Sequence, residues 1–124
     1  MTAAIPILIV DDNASNTKLL AFILSARGYE VRTAASADEA LAILDGFRPR
    51  LILMDIQLPG MDGLTLTRQL KADPATRDIA IIAATAYAMK GDEERVRAAG
   101  CDGYVTKPID TRQLPIDIAR FLAL

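Results

Sequence analysis

Side chains that could do chemistry stand directly after four of the short apolar runs in this chain. They are three carboxylates, one hydroxyl and one amine: Asp11 and Asp12 after residues 7–10, Asp55 after 51–54, Thr85 after 79–84, and Lys107 after 104–106. Clustered carboxylates repel each other, so such a group usually persists by binding a divalent cation or by raising a pKa. Oxygen ligands without histidine or cysteine favour a hard ion such as Mg²⁺. The set therefore predicts a magnesium site that could also receive a phosphoryl group.

The residue types suggest a role for each member of this set. Asp55 stands alone at the end of its run and is the natural nucleophile, because a carboxylate can attack phosphorus and form an acyl phosphate. Lys107 offers a flexible positive charge to phosphoryl oxygens, and Thr85 offers one hydrogen bond. Taken singly, an acid after a strand often only caps a helix, and a lysine is usually a solvated side chain. It is their joint placement that predicts a site.

Five apolar runs alternate with five helical patterns along the chain. The runs are residues 7–10, 30–33, 51–54, 79–84 and 104–106, and the helical patterns are 13–27, 36–46, 63–72, 92–100 and a last one from 111, or slightly later, to the C-terminus. This alternation, with continuous apolar strands, predicts a parallel sheet covered by helices on both faces. The carboxyl ends of parallel strands lie at one edge, where such folds bind ligands. The candidate residues are therefore expected together at that edge.

Several residues mark where the helices begin and end. Gly28 is a good left-handed stop after the first helix. Ser36 and Glu39 form the pattern of a capping box at the start of the second helix, and Asp62 is suited to cap the third. Pro115 is tolerated only in the first turn of a helix, so the last helix is expected to begin late.

Length and composition exclude several functional classes. The chain has 124 residues, which predicts a single domain over residues 1–124, and its 52% apolar content suffices for an ordinary core. A net charge of −2, with three Tyr, three Phe and no Trp, does not favour direct nucleic-acid binding. The chain contains no histidine, which excludes a Ser-His-Asp triad, a Cys-His pair and histidine-ligated zinc within it.

The cellular compartment is indicated by three features. The single cysteine, Cys101, excludes an intramolecular disulfide and fits a reducing environment, where it is expected to be a small buried side chain. The N-terminus lacks the basic region of a signal peptide. No apolar run approaches the roughly 20 residues of a membrane span. These features predict a cytoplasmic protein with no membrane contact.

The segments around the strand ends resemble the receiver domains of two-component response regulators. The segments that carry the resemblance are LIVDDN at 8–13, LILMDIQLPGMDG at 51–63, ATA at 84–86 and KP at 107–108. AMKGDEER at 88–95 and AGCDGY at 99–104 are similar to stand-alone members of this family and to receivers attached to hybrid kinases. The resemblance covers essentially the whole chain. It implies a doubly wound, flavodoxin-like α/β fold with five parallel strands in the order 2-1-3-4-5 and five helices.

The resemblance also implies ligands and a phosphoacceptor. Asp55 would accept a phosphoryl group from a histidine kinase or a histidine phosphotransfer protein. Asp12 would ligate Mg²⁺ directly and Asp11 largely through water, with an oxygen of Asp55 and the backbone carbonyl of Gln57. Gln57 stands where the family often has Asn or Glu, which leaves the rate of autodephosphorylation open. The implied protein is a phosphoacceptor and not an enzyme that turns over substrates.

The remaining positions concern the switch that the resemblance implies. Thr85 and Lys107 would hold the phosphoryl oxygens, and the peptide bond between Lys107 and Pro108 would be cis. Tyr104 matches an aromatic residue that turns inward when Thr85 moves towards the phosphate, although an ordinary half-buried strand aromatic explains it equally well. The fourth helix, fifth strand and fifth helix would then form the surface that contacts a downstream protein.

The apolar face of the first helix is wider than a contact with the core requires. At about 100° per residue its apolar side chains span an arc of roughly 200°. These side chains are Leu19, Leu20, Phe22, Ile23, Leu24 and Ala26. Either the helix is more deeply buried or, as we expect, the surplus edge docks the helical phosphodonor partner. With no output domain after Leu124, the signal is expected to leave by protein contact.

Three other functions stay open at this level. An aspartyl-phosphate phosphatase places a second acid two residues after its nucleophile, whereas Asp11 and Asp12 are adjacent. A flavodoxin-like flavin carrier would have to receive a phosphate where these two acids repel one. A degenerate receiver that only binds partners would not need all five active-site positions to be filled.

Overall fold

Strands and helices alternate without exception in the computed structural model, which describes residues 4–58, 60–86 and 90–123. The strands are β1 (Pro6–Val10), β2 (Glu30–Ala34), β3 (Leu51–Asp55), β4 (Ala80–Thr85) and β5 (Gly103–Thr106). The helices are α1 (Ala14–Ala26), α2 (Ala37–Leu44), α3 (Gly63–Ala72), α4 (Lys90–Ala98) and α5 (Leu114–Leu122). Every neighbouring strand pair is parallel, in the order β2-β1-β3-β4-β5. The predicted fold class is confirmed.

The central strands are apolar on both sides because helices cover both faces of the sheet. Successive side chains of a strand point to opposite faces. The face covered by α1 and α5 buries Ile7, Ile9, Leu51, Leu53, Ile82 and Ala84. The face covered by α2, α3 and α4 buries Leu8, Val10, Ile52, Met54, Ile81 and Ala83. Burial on both faces explains why β1 and β3 read as unbroken apolar runs.

Capping side chains lie at the starts of three helices, as predicted for Ser36 and Asp62 and also at Asn13. The bonds run from Asn16 N to Asn13 Oδ1 at 3.0 Å, from Glu39 N to Ser36 Oγ at 3.2 Å and from Thr65 N to Asp62 Oδ1 at 2.8 Å. Gly28 has a φ of +90° after α1, and Pro115 lies in the first turn of a late-starting α5, as predicted. In the described part of the chain no helix is both long and apolar enough to cross a membrane.

The fourth helix differs from its predicted bounds. It begins at Lys90 and ends at Ala98, whereas residues 92–100 were predicted. The helix ends before the predicted residue because a glycine with a left-handed backbone follows it. That glycine is Gly100, with a φ of +104°. Residues 87–89, which include the start of the segment AMKGDEER, lie outside the described residues.

A lysine that the sequence did not single out ties the amino-terminal edge of the sheet together. The ammonium group of Lys71, at the end of α3, donates to the carbonyl oxygens of Arg77 (3.1 Å) and Ile79 (2.8 Å). It also donates to Oδ2 of Asp102 at 2.9 Å, and the same oxygen accepts from the backbone N–H of Ile81 at 2.9 Å. These bonds hold α3 to the starts of β4 and β5, at the edge of the sheet opposite the one where the strands end.

Candidate functional site

The register of the sheet brings the predicted site residues to one edge. The strand pairs at this edge are Val10 with Met54, Asp55 with Ala84, and Thr85 with Thr106. Asp11 follows β1 directly, and Lys107 follows β5 directly. Asp55 and Thr85 are themselves the last residues of β3 and β4, one residue beyond the predicted strand ends. The carboxyl ends of four strands therefore converge on one site.

Three carboxylates form the centre of this site. Asp11, Asp12 and Asp55 each offer one oxygen, and these atoms all lie within 4.8 Å of one another. Asp11 and Asp55 are each only 4% exposed, whereas Asp12 is exposed to solvent. An all-oxygen set of carboxylates, open on one side to water, fits a small hard cation that keeps part of its hydration shell. The residues present therefore suit Mg²⁺.

The first turn of α1 holds both oxygens of Asp11. Oδ1 accepts from the backbone N–H of Asn13 at 2.9 Å. Oδ2 accepts from the side-chain amide of Asn16 at 2.8 Å and lies 3.4 Å from the ammonium nitrogen of Lys107. Asp12, by contrast, is exposed to solvent. The carboxylate of Asp11 is therefore held by neighbouring protein groups, whereas that of Asp12 is accessible to water.

Asp55 is a buried carboxylate with two donors. Oδ1 accepts from the backbone N–H of Gln57 at 3.0 Å, and Oδ2 lies 3.1 Å from Nζ of Lys107. Loss of hydration by burial raises the pKa of Asp55 above its ordinary value, and the charge of Asp11 adds to that effect. The bonds from Gln57 and Lys107 act in the opposite direction and only partly offset it. Asp55 is therefore an under-solvated anion for which additional positive charge is favourable.

Lys107 lies between two of the acids. Its ammonium group contacts Asp55 and Asp11, and its side chain keeps 26% of its exposure. Its backbone N–H donates to the carbonyl of Thr85 at 2.7 Å, which fixes the end of β5 beside the end of β4. The peptide bond between Lys107 and Pro108 is cis, as predicted. The lysine is thus anchored in the backbone while its charged end still reaches solvent.

The structure also locates the other three predicted residues. Thr85 is buried at the end of β4, and Gln57 is exposed just beyond β3. Tyr104 is half-buried in β5, where it packs against the core beneath α2, α3 and α4. It also lines a groove of about 540 Å³ between β5 and α5. Tyr104 thus links the core to that groove.

Two contacts in the site were not anticipated from the sequence. Asn16 stands five residues after Asp11, a spacing that a helix beginning between them folds back onto the acid. Gly63 opens α3 against the end of β3, where a Cβ atom would overlap the carbonyl oxygen of Asp55 and lie 2.7 Å from Cα of Ile56. The sequence marks Gly63 only as a helix start. Its lack of a side chain is what lets α3 pack this closely behind Asp55.

The apolar edge of α1 is exposed, as predicted. Leu20 and Leu24 are buried against the sheet, whereas Leu19 is 49% and Phe22 74% exposed. Beside this edge lies a second groove, of about 480 Å³, which runs from Leu19 to the segment after β5. Pro108 and Ile109 line this groove and also the groove between β5 and α5.

Known proteins share both the sequence and the fold. Residues 7–119 match the family model of the response regulator receiver domain. The polar-differentiation response regulator DivK of Brucella anthropi is 47% identical over 116 residues, which is 94% of each chain. The chemotaxis response regulator CheY4 of Vibrio cholerae has a TM-score of 0.90 at 27% identity, covering 95% of this chain and 98% of that one.

A further solved structure is similar over its whole length. The receiver domain of a Pseudomonas aeruginosa sensor histidine kinase, solved with a magnesium ion coordinated in its active site cleft, has a TM-score of 0.88 at 34% identity. The match covers 98% of this chain and all of that one. A family match over most of the chain and a relative at 47% identity, together with the fold, lead to one assignment. This chain belongs to the response regulator receiver domain family.

Proposed function

We propose that this protein is a response regulator of a two-component phosphorelay that accepts a phosphoryl group on Asp55. The observation that carries the proposal is the position of the Asp55 carboxylate. It lies 3.1 Å from the ammonium of Lys107 and within 4.8 Å of oxygens from Asp11 and Asp12. A carboxylate held between a cation and a divalent-metal site is equipped to attack phosphorus. The protein would thus act as a phosphoacceptor and not as an enzyme that turns over substrates.

The transfer follows from the groups around Asp55. One oxygen of Asp55 forms a bond to phosphorus while the bond from phosphorus to the imidazole nitrogen of the donor breaks, and that nitrogen keeps the electron pair. Lys107 stays beside Asp55 to balance the charge on the phosphoryl oxygens. Asp12, Asp55 and the carbonyl of Gln57 would hold Mg²⁺, with Asp11 acting through water. A bound Mg²⁺ supplies charge neutralisation for the phosphoryl group.

The phosphodonor is a separate protein in this proposal, because the chain contains no histidine. The exposed apolar edge formed by Leu19 and Phe22 lies beside a groove that reaches Lys107. A helical histidine kinase domain or histidine phosphotransfer protein could bury this edge and present its phosphohistidine to Asp55. Such donors work in the cytoplasm, where we also expect this protein to act.

The output is a change of protein-binding surface. Phosphorylation of Asp55 adds nearly two negative charges where β3 ends. Thr85 is beside it at the end of β4, and Tyr104 lies in β5 between the core and the groove along α5. We place the downstream partner on α4, β5 and α5, where movement at Thr85 and Tyr104 would change the groove. No nucleic acid or membrane is needed in this scheme.

Labelling with acetyl phosphate or phosphoramidate in the presence of Mg²⁺, followed by mass spectrometry, tests the proposal. We expect one acid-stable, base-labile phosphoryl group on Asp55, which Asp55→Ala and a chelator each abolish. Rapid hydrolysis of unrelated phosphate esters with no trapped adduct would favour a phosphatase instead. If the folded protein takes no label but still binds a partner, it is a receiver-type interaction module that works without phosphorylation.

A further inference from the structure

The side chain of Asn16 reaches back from α1 into the acidic site. Its amide nitrogen donates to Oδ2 of Asp11 at 2.8 Å. Its backbone N–H donates to the capping side chain of Asn13 at 3.0 Å, which fixes where Asn16 stands on the first turn. The backbone N–H of Asn13 in turn donates to Oδ1 of Asp11 at 2.9 Å. One helical turn thus sets the orientation of this carboxylate.

The same oxygen of Asp11 also faces Lys107. Oδ2 of Asp11 lies 3.4 Å from Nζ of Lys107, whereas Oδ2 of Asp55 lies 3.1 Å from it. Both acids are almost fully buried, so each needs a donor, and they share one ammonium group. The Asn16 amide supplies Asp11 with a donor that carries no charge. Asp11 then depends less on Lys107 for a hydrogen-bond donor.

We propose that Asn16 is a positioning residue for the magnesium site and for Lys107. Its amide fixes the carboxylate of Asp11 and leaves the ammonium of Lys107 nearer to Asp55. This inference rests on the proposed function, since phosphoryl transfer to Asp55 is what such positioning serves. Partners that orient metal-binding carboxylates commonly change metal affinity by 10- to 100-fold when they are removed. Without the amide, Asp11 would turn towards Lys107 and away from the arrangement that binds the cation.

The test compares Mg²⁺ binding by the unphosphorylated full chain, measured by calorimetry, in two variants. Asn16→Leu removes the donor while keeping a branched side chain of similar size, and we expect the dissociation constant to rise about tenfold. Ser15→Leu is the matched control, because it places the same leucine at an exposed position on the same turn of α1 and leaves the Asn16 amide in place. We expect Ser15→Leu to leave the dissociation constant within about twofold of the wild-type value.

A third variant tests whether the effect passes through Asp11. In an Asp11→Asn background the carboxylate is gone, so adding Asn16→Leu should change Mg²⁺ affinity little further. If leucine lowers the folded fraction, Asn16→Ala removes the same donor and should give the same rise in the dissociation constant. Phosphoramidate labelling of Asp55 at saturating Mg²⁺ provides a second readout, which we expect to be slower in the Asn16 variants because Lys107 is drawn towards Asp11.

The outcomes separate this inference from the proposed function. If the wild-type protein binds Mg²⁺ and is labelled on Asp55, but both Asn16 variants bind Mg²⁺ as the wild type does, the positioning role is wrong and the proposed function stands. An equal loss of affinity in Ser15→Leu would also overturn the role, because it would trace the effect to any substitution in the first turn of α1 and not to the Asn16 amide. If the wild-type protein neither binds Mg²⁺ nor takes label, the proposed function fails and the inference with it.

Discussion

The ammonium group of Lys107 lies 3.1 Å from Oδ2 of Asp55, and the two side chains form the central ion pair of the site. Asp55 is almost completely buried, whereas Lys107 retains contact with solvent. The same ammonium faces Asp11 at 3.4 Å. One cation thus reduces the repulsion between two buried acids. Lys107 is therefore expected to stabilise the folded site as well as to take part in its chemistry.

Removing the lysine should destabilise the metal-free protein. In Lys107→Met, Asp11 and Asp55 lose their shared cation, and we expect the free energy of unfolding to fall by about 2 kcal/mol, less than for a fully buried pair because Lys107 is partly exposed. Urea unfolding in the presence of a chelator measures this. Lys18→Met is the control, since Lys18 is exposed on α1. An equal stability of the two variants would contradict the prediction.

Removing the carboxylate of Asp12 should stabilise the metal-free protein. Asp12→Asn takes one negative charge from three carboxylates whose oxygens lie within 4.8 Å, so repulsion in the metal-free state falls. We expect a gain of about 1 kcal/mol in chelator and a smaller rise of melting temperature when Mg²⁺ is added. Thermal melts with and without Mg²⁺ check both points. Glu94→Gln, at an exposed position on α4, should keep the full Mg²⁺-dependent rise.

A side chain at Gly63 should disturb the end of β3. In Gly63→Ala the added methyl group would overlap the carbonyl oxygen of Asp55, so α3 or the strand end must move. We expect a loss of about 1–3 kcal/mol in unfolding free energy, together with weaker Mg²⁺ binding. Gly46→Ala is the matched control, because a Cβ there meets nothing within 4 Å. Similar losses in both variants would show that the close approach behind Asp55 is unimportant.

The cap of α3 should make stability depend on pH. The N–H of Thr65 donates to the carboxylate of Asp62 at 2.8 Å, and this bond is the main reason that the pKa of Asp62 lies below its ordinary value. A pKa that is lower in the folded state stabilises the protein above the unfolded-state value, and that contribution is lost as the pH falls through the folded-state pKa.

We therefore expect Asp62→Ala to cost about 1 kcal/mol at neutral pH. The difference from wild type should shrink as the pH falls below the ordinary value of 3.8. Asp62→Asn keeps a capping oxygen that does not titrate and should lose this pH dependence. Urea unfolding across the pH range measures all three proteins. A constant difference between wild type and Asp62→Ala at every pH would contradict the assignment.

Substitution of the exposed edge of α1 should slow phosphotransfer from a protein donor but not labelling by a small-molecule donor. Phe22 is 74% exposed, so Phe22→Glu should leave the fold intact. We expect phosphotransfer from a histidine phosphotransfer protein to slow by at least about tenfold, as for an aromatic anchor of an interface, while labelling by acetyl phosphate is unchanged. Ala42→Glu, exposed on α2 at the other face of the sheet, is the control. Equal losses in the two assays would rule out the docking role.

The sequence predicted the sheet and the acidic site because both depend on local pattern. Strands buried on both faces must be apolar throughout, and the residue that ends such a strand in a parallel sheet must lie at one known edge. The contacts of Gly63 and Lys71 could not be predicted in this way, because each joins segments whose separation in space is set by packing. The contact of Asn16 with Asp11 is local, and the helix start between the two residues was the signal that could have indicated it. The strand ends shifted by one residue because Asp55 and Thr85 take part in the pairing that they terminate.

The turn after Lys107 is common to two grooves of the molecule. Pro108 and Ile109 form part of the wall beside α1 and also part of the wall along α5. A protein seated in either groove therefore contacts two residues that also line the other groove. If a donor uses the groove beside α1 and a target uses the groove along α5, the two binding surfaces adjoin at the residues that directly follow Lys107.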